Sequence, residues 1–125
     1  MKIKEITPIN ESKVYLDTVR LFKHIMLVAE KMPKMYRHLL GESMVNQIVG
    51  MIDSITAATI TRDNVKRLKY LDNFMTKLGV LSALITGLAE VKQISLKHEA
   101  IFTEFSEEIG KQVNSWRSKT ASKIS

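Results

Sequence analysis

The sequence predicts an all-α fold, an antiparallel up-down-up-down four-helix bundle in a single domain. Apolar residues recur at steps of three and four along almost all of the 125 residues, which is the helical period. The only two prolines, Pro8 and Pro33, fall at the edges of periodic segments, and the connections are short. A chain of this length buries one compact core. We therefore predict an N-terminal arm over 1–11, the bundle over 12–118 and a basic C-terminal tail over 119–125.

The first helix, predicted over about 12–32, carries two neighbouring apolar seams. One seam is Tyr15, Val19, Phe22, Met26 and Ala29, and the other is Leu21, Ile25, Val28 and Met32. Together they are wider than one intramolecular stripe requires. This width indicates helix neighbours on two sides, as at a contact between copies. The alternative is a helix sunk deep in its own bundle.

Pro33 is predicted to turn the first helix directly into the second, because the N–H that proline lacks would have no hydrogen-bond partner in a first helical turn. The second helix is predicted over about 34–60. Its core face is Leu40, Met44, Ile48, Ile52 and Ile55. Lys34, Tyr36 and Arg37 lie at the corner, where cationic donors beside a helix N-terminus favour a phosphate. The alternative is a solvated corner that only turns the chain.

The third and fourth helices follow cap-type residues. Thr61 or Asp63 is predicted to cap a third helix that runs to about Val91, and Ser95 caps a fourth helix over about 96–117. The core positions of the third helix are Leu68, Leu71, Met75, Leu78, Leu81, Ile85 and Leu88. Those of the fourth are Phe102, Phe105, Ile109, Val113 and Trp116.

All the glycines fall inside predicted helices, where each costs about 1 kcal/mol relative to alanine. Gly79, Ala83 and Gly87 recur at every fourth position and form a ridge without side-chain bulk. Another helix could lie close on this ridge. The alternative is an ordinary tight contact within the monomer.

Composition points to a soluble cytoplasmic protein. Cysteine is absent, which removes disulfides, thiolate metal sites and cysteine nucleophiles and fits a reducing compartment. The first residues place charges where a secretory signal needs an apolar run. The longest uncharged stretch of the third helix, Leu78 to Ala89, falls short of the roughly 20 residues of a membrane helix. We expect neither an export signal nor a membrane partner.

The sequence contains few candidate catalytic residues. His24, His38 and His98 show no spacing typical of a metal site, and neither a glycine-rich phosphate loop nor a serine elbow is present. Glu104 and Glu108 share a helix face, and with Lys111 following they are typical of a solvated charged edge. We therefore expect no enzyme, no cofactor and no metal.

The net positive charge of the chain favours binding to polyanions. The formal charge is +6, from 19 Lys and Arg against 13 Asp and Glu. On the third helix Arg62, Lys66, Lys69 and Lys77 fall within an arc of about 80°, a stripe that can follow a phosphate backbone. Tyr70 is the only ring nearby, which favours backbone or shape binding over base stacking. The alternative is a solvated face.

The fourth helix is acidic at its start and basic at its end, an order that the helix dipole explains without function. From Lys111 onward the chain has four bases and no acid. The predicted phosphate contacts are Lys34, Arg37, Arg62, Lys66, Lys69, Lys111 and Arg117.

Four motifs carry a family resemblance. They are Met32-Pro-Lys-x-Tyr-Arg-x-x-Leu-Gly-Glu42, Thr61-Arg-Asp63, Ile94-Ser-Leu-Lys97 and Glu108-Ile-Gly-Lys-Gln-x-x-x-Trp116. In this order, over about 12–118, the chain resembles the four-helix-bundle family of the accessory variability determinant (Avd-like). That family accompanies diversity-generating retroelements in bacteria. It is related to proteins encoded in intervening sequences of ribosomal RNA genes.

The resemblance implies a homopentameric barrel of four-helix bundles that binds DNA or RNA through a basic surface. In retroelement members it also implies partnership with a reverse transcriptase. The uncharged run from Leu78 to Ala89 departs from family members with an arginine there. The second-helix signature of the ribosomal branch is also missing, which favours the accessory-determinant branch. A protein-binding scaffold without nucleic-acid binding is the competing function.

Overall fold

A computed structural model of the protein describes residues 9–124, with side chains from residue 13 onward. Over this range the chain forms α1 (Ile9–Lys31), α2 (Glu42–Ile60), α3 (Asn64–Glu90) and α4 (Leu96–Ser122) and no strand. Each helix packs on the next, and α4 packs back on α1. The predicted four-helix bundle is confirmed. Of the predicted N-terminal arm, 1–8 lies outside the described residues, and α1 starts three residues before the predicted first helix.

The two seams of α1 have different surroundings. Leu21, Ile25, Val28 and Met32 are buried in the core, whereas Tyr15 and Met26 of the other seam are exposed. Ala29 is buried, because it lies beside Gly41, the residue that precedes α2. The alternative of a helix sunk deep in its own bundle is therefore wrong.

The corner after α1 is not a regular α-helix. Pro33 leads into a single helical turn, Lys34–Tyr36, and then into a π-helical segment, Arg37–Gly41, before α2 begins. A π-turn widens the backbone ring by one residue relative to an α-turn. The guanidinium of Arg37 donates to the carbonyl of Glu30 at 3.4 Å and so helps to close the end of α1.

Core positions agree with the helical period, with a few shifts. In α2, Met51 and Ala58 are buried although they were not predicted, and Ile52 is half-buried. In α3, Phe74 is a fully buried core residue that the predicted seam missed. The fourth helix continues to Ser122, past its predicted end, because Thr120 packs into the interior. No described helix has the combination of length and apolarity that a membrane span requires.

The ridge of small residues on α3 faces outward. Gly79, Ala83 and Gly87 are exposed, and a Cβ added at Gly79 or Gly87 would meet nothing within 4 Å. A tight contact within the monomer, one of the two alternatives for this ridge, is therefore wrong.

Arg67 joins three helices at the α2–α3 turn. Its guanidinium donates to the carbonyl of Ala58 at 2.9 Å and to the carbonyl of Thr61, so it closes the C-terminus of α2. The same group lies 6.0 Å from the ring centroid of Trp116 on α4. Asp63 caps the other side of the turn, since its carboxylate accepts from the N–H groups of Val65 and Lys66. This decides the predicted choice between Thr61 and Asp63 as the cap.

Replacing Arg67 with lysine should therefore destabilise the bundle although the charge is kept. We expect a loss of about 2 kcal/mol in the free energy of unfolding, because an ammonium cannot bridge two carbonyls and stack on Trp116 at once. Urea unfolding followed by circular dichroism measures it. The matched control is Arg62→Lys at an exposed position, which should change stability by less than about 0.5 kcal/mol. Equal effects at both positions would contradict the role of Arg67.

Polar groups tie α1 to α4 at two levels. Asp17 accepts from Lys13 at 3.1 Å, from Arg20 at 3.0 Å and from Gln112 of α4 at 2.9 Å. Burial alone raises the pKa of Asp17, but the hydrogen bonds from Gln112, Lys13 and Arg20 outweigh it and hold the pKa below its ordinary value. The carboxylate therefore stabilises the fold above about pH 4 and loses this contribution as the pH falls further.

His24 and His98 form the second link. His24 is only 8 % exposed, and its ring nitrogen Nε2 lies 3.3 Å from the carbonyl of His98. The two imidazole centroids are 5.3 Å apart, and the centroid of the Phe105 ring lies 6.1 Å from that of His24. Burial lowers the pKa of His24 below 6.5, the hydrogen bond to the His98 carbonyl partly offsets this, and the His98 ring lowers the pKa further.

Stability should therefore decline as the pH falls below about 6.5, because the unfolded chain binds a proton at His24 more readily than the folded chain. His24→Gln keeps a donor for the His98 carbonyl and does not titrate, so it should flatten the decline between pH 7 and 5. Thermal unfolding across this range measures the effect. His38→Gln, at the exposed corner, is the control and should leave the decline unchanged. An unaltered pH profile in the His24 variant would contradict this assignment.

Candidate nucleic-acid interface

The strongest cationic feature is a row of bases on α3 and in the turn before it, which we call the basic stripe: Arg62 in the turn, and Lys66, Lys69 and Lys77 on the helix. The first three side chains are exposed, and no ion pair engages any of the four within the described part of the chain. Of the two acids within this stretch of sequence, Asp63 is occupied as the helix cap and Asp72 pairs with Arg117. The basic stripe therefore presents its charge to solvent.

The basic stripe lies on the side of α3 that borders α2. Asn73 donates to the hydroxyl of Ser54 at 2.8 Å, and Lys77 extends over Gly50. On the other side of α3, Asp72 pairs with Arg117 of α4. The basic stripe is thus separated from the bases of α4 by the body of α3.

The predicted phosphate contacts fall into three groups. Lys66 and Lys69 lie on α3, whereas Arg62 lies in the turn before the cap residue Asp63, so the predicted helical arc does not extend to Arg62. Lys34 and Arg37 lie at the opposite end of the bundle, since α2 separates the corner from the α2–α3 turn by roughly 28 Å. Lys34 and Arg37 share a shallow surface depression with His38 and Glu42.

The third group is on α4. Lys111 is exposed, whereas Arg117 forms an ion pair with Asp72 that holds its guanidinium against α3. The hydrogen bond to Asp72 raises the pKa of Arg117. A phosphate at Arg117 therefore has to compete with a carboxylate, whereas at the basic stripe it does not. The sequence offers no signal for this pairing, because the two residues are 45 positions apart.

Aromatic rings are absent from the basic stripe. Tyr70, the ring nearest in sequence, is half-buried against the core, and Trp116 is half-buried and packs beside Arg67. Tyr15 is the most exposed of the rings and lies on α1. The basic stripe can therefore pair with phosphates but offers no surface on which bases stack.

A second surface is apolar and spans α1 and α2. We call it the α1–α2 face: Tyr15, Val19, Phe22 and Met26 from α1, with Val45, Val49 and Ile52 from α2. Tyr15, Met26 and Val49 are exposed by 42 %, 44 % and 50 %, and the others are half-buried. Near the corner an open groove is lined by Phe22, Met26, Gly41 and Val45. A contiguous apolar surface of this kind is typical of a protein contact.

Histidine and carboxylate side chains do not gather into a metal site anywhere in residues 9–124, where no three of them meet.

The comparison with known proteins agrees with the motifs. A family model described as bAvd-like matches residues 12–120, which is most of the chain and includes most or all of each of the four helices. No curated protein matches the chain significantly. The chain belongs to the bAvd-like family, the family of the accessory variability determinant.

Proposed function

We propose that this protein is a non-enzymatic accessory protein that assembles into a closed homo-oligomer and binds nucleic acid through phosphates. The observation that carries the proposal is the basic stripe, whose bases lie along α3 and the turn before it without an ion pair among the described residues. Family membership supports it, as does the net charge of +6. Lys34, Arg37, Lys111 and Arg117 are the proposed secondary contacts.

The α1–α2 face supports the oligomeric part of the proposal. In an isolated bundle its apolar side chains remain in water, and a contact between copies buries them. The proposed oligomer has five chains, in line with the family resemblance. The proposed protein partner is the reverse transcriptase of a diversity-generating retroelement.

Salt dependence tests nucleic-acid binding. Each phosphate neutralised releases counterions, so the log of the binding constant should fall linearly with the log of the salt concentration, with a slope of several. Fluorescence anisotropy with labelled DNA and RNA between about 50 and 200 mM salt measures it. If nothing binds at about 50 mM salt, the alternative function stands, a protein-binding scaffold that uses the α1–α2 face. Co-purification with the reverse transcriptase tests the partner separately.

A further inference from the structure

We propose that the ligand of the basic stripe is a nucleic-acid duplex held by its phosphates, and that Lys77, placed across α2 by Gly50, is the fourth contact. This inference rests on the proposed function and states which form of nucleic acid the same surface takes.

The first argument is the absence of a stacking surface. Proteins that hold single strands combine cations with exposed rings on which successive bases stack, and these rings supply about 1–3 kcal/mol per base. Tyr70 is half-buried and belongs to the core packing, and Tyr15 lies on the α1–α2 face. A single strand would therefore gain only its phosphate contacts here, and ordering a flexible strand costs entropy. A duplex loses nothing by the absence of rings, because its bases are already stacked.

The second argument is the rigidity of the basic stripe. Lys66, Lys69 and Lys77 are carried by one unbroken helix, and the row from Lys66 to Lys77 spans about 16 Å. A duplex is also stiff, and it carries about one negative charge per 1.7 Å of its axis. A straight row of cations can therefore meet several duplex phosphates without bending either partner.

The third argument is the position of Lys77. A Cβ added at Gly50 would lie 2.8 Å from Cδ and from Cε of Lys77 and 3.3 Å from its Nζ. The stem of Lys77 therefore lies directly on the backbone of α2. Glycine inside a helix costs about 1 kcal/mol relative to alanine. The stem of Lys77 lies where a Cβ at position 50 would be, which explains why the helix has a glycine there. The ammonium is thereby held at the α2–α3 boundary.

The ligand class is tested by competition. The probes are a DNA duplex of about 20 base pairs, its two separated strands, and an RNA duplex of the same sequence, at about 100 mM salt. Both duplexes should bind at least about tenfold more tightly than either strand, and a scrambled sequence should bind equally. Strands that bind as tightly as the duplex overturn the inference and leave the proposed function standing. A parent protein that binds none of the probes overturns both.

The position of Lys77 is tested with Gly50→Ala. The new methyl group displaces only the flexible end of Lys77, so the fold should be kept, which circular dichroism checks. Gly50→Ala and Lys77→Gln should each lower the salt slope for the duplex by about 1, and the double variant should lower it no further. Gly79→Ala is the matched control, since a Cβ there meets nothing within 4 Å. An unchanged slope in Lys77→Gln overturns the fourth contact. An unchanged slope in Gly50→Ala alone overturns the part assigned to Gly50.

Discussion

Replacing Arg62, Lys66 and Lys69 together with glutamine should lower the slope of the salt dependence by roughly 2 to 3 and weaken binding to all sequences about equally. The physical reason is that three phosphates would keep their condensed counterions. Glutamine retains most of the helix propensity, and the three side chains are exposed, so helical content should not change. Anisotropy titrations at several salt concentrations measure the slope, and circular dichroism checks the fold.

A second triple variant separates the basic stripe from net charge. Lys111, Lys119 and Lys123 are also exposed, lie on or just after α4, and lose the same three charges when replaced with glutamine. We expect this α4 variant to lose much less affinity for nucleic acid than the variant of the basic stripe. Equal losses would mean that binding follows net charge. A loss confined to the α4 variant would move the polyanion site to α4.

Met26→Glu should convert the proposed oligomer into a monomer. The glutamate would place a charge in the centre of the α1–α2 face, and burying an unpaired charge in an apolar contact costs several kcal/mol. Within one bundle Met26 is 44 % exposed, so the folded monomer should tolerate the change. Light scattering coupled to size exclusion, at micromolar concentration, gives the mass of the particle.

Val80→Glu is the matched control. Val80 lies on α3, away from the α1–α2 face, and is 43 % exposed, almost the same as Met26. It should leave the oligomer intact. Dissociation of both variants would mean that the contact between copies extends to α3. A parent protein that is already a monomer would refute the oligomeric part of the proposed function.

The four helices could be predicted because their signals are local. Periodic apolar residues, Pro33 at the first corner and the caps Asp63 and Ser95 act within a few residues of their own position. The helical part of the basic stripe was predictable for the same reason, since a helix of known period places Lys66, Lys69 and Lys77 on one face. The period did not place Arg62, which lies before the cap of α3.

Partners distant in sequence were not predictable in this way. Two apolar seams on α1 show that the helix has excess apolar surface, but only packing against α2 and α4 decides that the seam with Leu21 is buried and the seam with Met26 is exposed. Equally, charge counting treats Arg67, Arg117 and Arg62 alike. The fold turns Arg67 onto the end of α2, pairs Arg117 with Asp72 and leaves Arg62 in water.

The sequence by itself therefore determined the helices, their order and the presence of a cationic face, because helical period and capping are properties of short segments. The tertiary structure alone decided which bases remain available to a phosphate and which apolar seam remains available to a partner. Both depend on contacts such as Asp72 with Arg117 and Gly50 with Lys77, which join residues 45 and 27 positions apart. No local pattern encodes such pairs, since they form only when separate helices are packed side by side.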